Sequence, residues 1–342
     1  MRYLQLGKTG LKVSEVGFGG IPIIRLTVDE AVAVLRRAFD KGITFYDTAN
    51  AYLGSEDKMG RALAGQRDRL VLATKTMKRD AAGVAEHLDT SLRQLGTDYI
   101  DLLQFHQVSQ DKDWEAISGP GGALEAAAKA KQQGKIRHLG VTSHSIPMAV
   151  KLVKTGLFET IQFPFSFLEP AAADELHVAA RALGLGIIAM KPFGGGVIDS
   201  AALSFKYLRQ YPDVIPIPGF DSVAYVDEVV ALYDKPNEIT DADRARMAEF
   251  RDQVGGRFCR RCEYCQPCPN GVMITPAMGY PIVAHRMSKE VAVNFAKKAI
   301  ESVAQCTECG ACLAKCPYQL PIPELIRKNH ALYLEHKKSL GL

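Results

Sequence analysis

The sequence predicts an α/β fold: a (β/α)8 barrel of the TIM type, preceded by an N-terminal hairpin and followed by a small, helix-rich, cysteine-bearing domain. Three observations carry this expectation. From residue 15 onward, short apolar runs alternate with longer amphipathic stretches, a pattern that suits a closed parallel barrel. No GxGxxG follows the first strand, which disfavours an open dinucleotide-binding sheet; GFGGIP lacks both the third glycine and the immediate helix. All eight cysteines lie between residues 259 and 316, which sets the end of the chain apart.

In order, RYLQLGKTGLKV reads as a hairpin with Gly7 and Gly10 in its turn region, suited to plug one end of the barrel. The strand-like runs are SEVGFG (14–19), ITFYD (43–47), LVLATK (70–75), IDLLQFH (100–106), IRHLGVT (136–142), ETIQF (159–163), GIIAMK (186–191) and VIPIP (214–218). Between them stand helical patterns such as VDEAVAVLRRAFDKG and AAGVAEHLDTSLRQLG, with apolar residues three and four apart. Beyond Tyr233, KPNEITDADRARMAEFRDQV predicts one further helix. The composition then shifts at Gly255-Gly256, which divides the chain into domains 1–256 and 257–342.

A chain of 342 residues suits one large barrel with an appendage. Its 47% apolar content supports a substantial core, and its 23% charged residues an ordinary soluble surface. The net charge of +4, without a basic run interleaved with aromatics, argues against nucleic acid as a partner. The N-terminus lacks an apolar core of signal-peptide length, and no run of 18 apolar residues occurs. A cytoplasmic protein with no membrane partner is therefore expected. Clustered thiols in a reducing compartment point to metal rather than disulfides.

In such a barrel, chemistry belongs at the C-terminal ends of the strands. Three consecutive strands end in polar residues: Asp47, with Tyr52 five residues on; Lys75; and His106. Singly, these are a turn cap, a surface aromatic, a solvated amine and a rim histidine. Together they form a usable set. A phenol is a poor acid at neutral pH, and a nearby ammonium favours its ionisation. Asp47 would hold Lys75, His106 would orient a substrate carbonyl, and Tyr52 would protonate the developing alkoxide.

The segments GFGG, FYDTANAYLGSE, VLATK, DYIDLLQFH and GKIRHLGVTSHS resemble the aldo-keto reductase family, in order and at its spacing, over residues 2–235. The resemblance implies a (β/α)8 barrel, a nicotinamide cofactor, NAD(P)(H), bound without a Rossmann fold, and the tetrad Asp47, Tyr52, Lys75 and His106. It implies Ser143, His144 and Gln162 at the nicotinamide carboxamide. Met190 stands where the family stacks a tyrosine on the ring, and reads equally as a core residue. Lys191, Phe193 and Gly194 would approach the pyrophosphate. In PGFDSVAYVDEVV the adenosine end would meet Gly219, Phe220 and Asp221, without a basic side chain. A carboxylate there favours NADH; alternatively Asp221 caps the next helix. Glu228 matches the family's adenine contact, and Val229 replaces the Asn that follows it.

Cys306, Cys309, Cys312 and Cys316, followed by Pro317, read C-x2-C-x2-C-x3-C-P, the bacterial ferredoxin pattern. Cys259, Cys262, Cys265 and Cys268 form a run one residue shorter. Zinc is the rival ligand, though its modules usually keep two CxxC pairs well apart. The runs favour two 4Fe–4S clusters. By likeness to two-cluster ferredoxins, Cys259, Cys262, Cys265 and Cys316 hold one, and Cys306, Cys309, Cys312 and Cys268 the other. The tail resembles that of a subgroup of aldo-keto reductases. Its clusters either staple a domain too small to fold alone or pass electrons to a redox protein partner. Arg257, Arg260, Arg261, Lys297 and Lys298 are then a docking face, or simply solvated surface.

The reading is thus an oxidoreductase interconverting a small carbonyl substrate and its alcohol. The alternative is an electron-transfer protein with the barrel as a nicotinamide platform. The substrate pocket would draw on GGIPIIRLT and residues near Trp114, with Arg25 either meeting an anionic substrate or solvated.

Overall fold

In the computed structural model, which describes residues 1–342 apart from the side chains at 255 and 286, two short antiparallel strands form the expected hairpin. They are β1 (Tyr3–Gln5) and β2 (Lys12–Ser14). Eight parallel strands follow: β3 (Phe18–Gly19), β4 (Phe45–Asp47), β5 (Val71–Thr76), β6 (Ile100–Phe105), β7 (Ile136–Thr142), β8 (Thr160–Pro164), β9 (Gly186–Met190) and β10 (Val214–Ile217). They pair in sequence order from β3 to β10. A parallel bridge between Gly19 and Gly219, with Gly17 and Gly19 donating to Pro216 and Pro218 at 2.9 and 2.7 Å, joins the last strand to the first.

The run SEVGFG contributes only Phe18–Gly19 to the barrel, because Ser14 still belongs to β2. Five of the intervening helices start where a short polar side chain accepts a backbone N–H, at Thr27, Asp80, Ser145, Ser200 and Ser222. Thr27 and Glu30 complete a reciprocal capping box.

The hairpin closes the N-terminal end of the barrel. Leu6 and Val13 join an interior cluster with Phe45, Leu102, Ile188 and Ile215. Lys8 donates to the Gly184 carbonyl at 2.7 Å. Gly7 has φ +53°, and a Cβ there would sit 2.2 Å from the Gly186 nitrogen, so only glycine allows this approach.

The chain divides into two units, Met1–Asp243 and Arg244–Leu342, upstream of the composition change at Gly255-Gly256. The division falls within the helix Asp241–Gly255. The second unit is helix-rich, with Ile274–Met278, Tyr280–Arg286, Lys289–Glu301 and Ile322–Ser339. Its core gathers Tyr280, Ile300, Ile326 and Tyr333, with six of the cysteines packed against it. Among the described residues, no helix is long and apolar enough to cross a membrane.

His177, on the helix Leu176–Ala182, is buried against the Phe165 ring at 4.6 Å. Neither of its ring nitrogens has a hydrogen-bond partner. Burial, helped by Arg181, pushes its pKa down to about 4. The unfolded chain therefore takes up this proton first as pH falls. Stability is flat above the ordinary histidine value and declines by about 3 kcal/mol between there and pH 4. His177→Leu should flatten that decline in urea-unfolding midpoints measured at pH 7.5 and 5.

Candidate active site

Asp47, Lys75, Gln104 and Gln162 sit at or near the C-terminal ends of β4, β5, β6 and β8, each no more than 2% exposed. Lys75 Nζ donates to Asp47 Oδ1 and, at 2.7 Å, to the Thr48 carbonyl. Asp47 Oδ2 accepts from Gln104 Nε2 at 2.8 Å and from Gln162 Nε2 at 2.9 Å. The carboxylate is thus fixed by donors from three strands.

Tyr52 lies above this layer, in the loop after β4. Lys75 Nζ is 5.2 Å from the centre of its ring. The His106 ring meets it edge-on at 5.7 Å. All four residues singled out at the strand ends therefore converge on one rim. Burial, reinforced by Lys75, Arg79 and Lys191, holds His106 well below its ordinary pKa. It is a neutral imidazole, and its Nδ1 has no hydrogen-bond partner. Arg79 fixes the turn beneath it, donating to the carbonyls of His106 and Gln107 at 2.9 and 3.1 Å.

Two buried groups escaped sequence reasoning. Gln104 reads as an ordinary strand residue until the barrel closes. Glu56 is 1% exposed and accepts from Thr74 Oγ1 at 2.5 Å, while its Oε2 has no partner. Burial raises its pKa, with Lys75 acting in the opposite sense.

The residues assigned to the cofactor by resemblance have the following surroundings. Gln162 donates through its amide nitrogen to Asp47. Lys191, expected at a pyrophosphate, contacts His144 Nε2. An ammonium must donate there, so that nitrogen accepts and His144 cannot donate through it. The Ser143 hydroxyl is buried and accepts from the Ser145 N–H at 3.2 Å. Phe220 is fully buried against Phe18 and Tyr225, which makes its side chain core. Met190 is half-buried against the interior cluster, in keeping with its core reading. Val229 is also core, whereas Glu228 is exposed.

Asp221 pairs with Arg25, which arrives from the loop after β3. A basic side chain from another segment thus stands beside the stretch after β10, and Arg25 is not simply solvated. The next helix is capped by Ser222 and not by Asp221. Phe193 packs on Phe205 and Tyr225. Gly194, Gly195 and Gly196 follow with φ of 57°, 81° and 100°, a run of left-handed backbone without side chains that a phosphate group could approach closely. Gly219 lies against Pro22, which a Cβ would meet at 2.4 Å.

The cysteines form two nests. Cys259, Cys262, Cys265 and Cys316 line one small pocket. Cys268, Cys306, Cys309 and Cys312 line another, with Cys265 also at its wall. Each nest thus draws on both runs: Cys316 joins the first, and Cys268, with Cys265 at the wall, joins the second. Left-handed residues punctuate both loops, Arg261 and Glu263 in one, Glu308 and Gly310 in the other. Alternating handedness of this kind turns successive amides toward an anion.

Among the described residues, no three His, Cys, Asp or Glu side chains are arranged to hold a single metal ion. Burial pushes Cys265 up to about 12, so the thiolate form needs a cationic occupant. Arg260 stacks on Tyr318 at 3.9 Å, while Arg257, Lys297 and Lys298 are exposed.

The pattern of the Aldo/keto reductase family matches residues 15–203, and that of the 4Fe-4S dicluster domain matches residues 258–320. The oxidoreductase YrpG of Bacillus subtilis is 31% identical over 234 residues, covering 59% of this chain and 70% of that protein. The L-galactose dehydrogenase of Arabidopsis thaliana is 32% identical over 212 residues, covering 56% of this chain and 66% of its own. The holo form of aldo-keto reductase AKR11C1 from Bacillus halodurans superposes with a TM-score of 0.62 at 24% identity, over 73% of this chain and 96% of that one, a likeness of fold. With its barrel built around this rim and a dicluster domain at its end, the chain belongs to the aldo/keto reductase family, in the subgroup that carries a C-terminal 4Fe–4S domain.

Proposed function

We propose that the protein interconverts a small carbonyl compound and its alcohol with NAD(P)(H). The observation that supports this best is the approach of Tyr52 to both Lys75 and His106, over a Lys75–Asp47 pair withdrawn from solvent. A bound reduced nicotinamide supplies the hydride. Tyr52 gives its hydroxyl proton to the substrate oxygen as negative charge develops there. Lys75 holds positive charge near the phenol, which favours proton release. His106 is neutral, so it offers an N–H to the same oxygen without competing as the acid. Because Arg25 masks Asp221, that carboxylate no longer argues for NADH over NADPH.

The test is reduction of 4-nitrobenzaldehyde by NADH and by NADPH, using anaerobically purified, iron-loaded protein. Tyr52→Phe should lower kcat by about 10²- to 10⁴-fold and leave nicotinamide binding, read by fluorescence quenching, unchanged. Undiminished turnover in that variant would refute the acid role.

The two cysteine nests support a second reading of the tail. Cys259, Cys262, Cys265 and Cys316 would hold one 4Fe–4S cluster, and Cys268, Cys306, Cys309 and Cys312 the other. The clusters would either brace the tail or relay single electrons to a redox partner protein. Titration with NADH alone, watching cluster absorbance and EPR, distinguishes the two: bleaching without carbonyl turnover favours the relay.

A further inference from the structure

We propose that Gln104 and Gln162 are positioning residues of the reaction: they anchor Asp47 so that the positive charge of Lys75 stays directed at Tyr52. The inference rests on the carbonyl–alcohol reading above.

Four strands place one polar layer inside the barrel. Gln104 lies directly beside Lys75 in the β5–β6 register. Gln162 of β8 reaches past β7, which has Gly140 opposite Gln104. A Cβ at Gly140 would sit 3.2 Å from Gln104 Cγ and 2.1 Å from Thr160 Oγ1. The missing side chain leaves room for the two glutamines to meet, and Gln162 Nε2 is 3.2 Å from Gln104 Oε1. The same Gln162 nitrogen also donates to Asp47, so its two N–H groups can serve two acceptors.

The physical consequence follows from charge sharing. Asp47 Oδ2 receives two amide donors, while Oδ1 receives Lys75. A carboxylate stabilised by hydrogen bonds needs less of the ammonium's field to remain ionised. Without the amides, Asp47 would draw more heavily on Lys75, and less positive potential would reach the phenol. The other charged groups acting in this region are Glu56, which Lys75 influences, and Arg79 and Lys191, which act with Lys75 on His106. None of these contacts Asp47 Oδ2, where the two glutamines act.

The experiment compares wild type with Gln104→Met, which keeps volume and removes the donor. Two readouts are taken on the full-length, iron-loaded protein. The first is 13C NMR of protein labelled at tyrosine Cζ, with Tyr52→Phe identifying the Tyr52 resonance. The second is the pH dependence of kcat for 4-nitrobenzaldehyde reduction. In Gln104→Met, the Tyr52 titration and the alkaline limb of kcat should both move up by about one pH unit. At neutral pH, kcat should fall about tenfold, in step with the weaker acid.

A uniform fall in kcat with neither midpoint moved would show a packing role only and overturn the proposal, as would no change in either. Should Gln104→Met not fold, Gln104→Asn, too short to reach Asp47, should give the same upward shift; an unshifted Asn variant overturns the proposal equally. If Tyr52→Phe retains turnover, the acid–base reading itself fails. If Tyr52→Phe is inactive while Gln104→Met titrates like wild type, only the positioning role fails.

Discussion

Lys75→Met should cost the protein both its turnover and a large part of its stability. The ammonium is 1% exposed and pairs with an equally buried Asp47. Methionine matches the stem but leaves Asp47 as a buried anion held only by two amides. Breaking one side of a buried ion pair costs about 3–5 kcal/mol, a large share of a domain's margin. The rate should fall by about 10²-fold or more, because Tyr52 loses the cation that favours proton release.

The double variant Asp47→Asn, Lys75→Met separates these effects. Removing both charges should restore most of the stability in urea unfolding, since the amide that replaces the carboxylate can still accept from Gln104 and Gln162 and no buried charge is left unpaired. Turnover should stay lost. Recovery of activity in the double variant would show that the pair serves the fold and not the phenol.

Removing the iron should unfold much of the second unit. Its apolar core is small and has the cysteines packed against it. Without metal, eight thiols line the two nests, and burial disfavours the charged form of Cys265, Cys262 and Cys312. Metal binding in small domains supplies folding free energy directly. Chelation should therefore lower the helical circular-dichroism signal and open residues 244–342 to protease. Single substitution of Cys316 or Cys268 should be severe, because each completes the nest built mainly by the other run. Iron-free protein with unchanged helicity and protease resistance would show that the tail stands without its clusters.

Much of this architecture was legible in the residues. Asp47, Lys75 and His106 stood out because a core would not choose them at three consecutive strand ends, and the geometry gathers them with Tyr52. The cysteine pattern was legible because ligand spacing is a local property. What escaped depended on distance along the chain. Gln104 sits within β6, where one polar residue looks like routine alternation; its acceptor is on β4. Arg25 and Asp221 meet across the start and the end of the barrel, so a reading confined to PGFDSVAYVDEVV found no cation. The packing of Phe220 against Phe18 is likewise long-range and does not show in that stretch.

The sealed barrel floor has a consequence for biogenesis. Gly7 docks against Gly186, a partner synthesised only after most of the barrel has left the ribosome. Until then Leu6 and Val13 travel without their final cover, and joining such distant segments is slow. The nascent chain is thus exposed to misassociation at this hairpin, and a bulky insertion in its Gly7–Gly10 turn would burden maturation by blocking that docking.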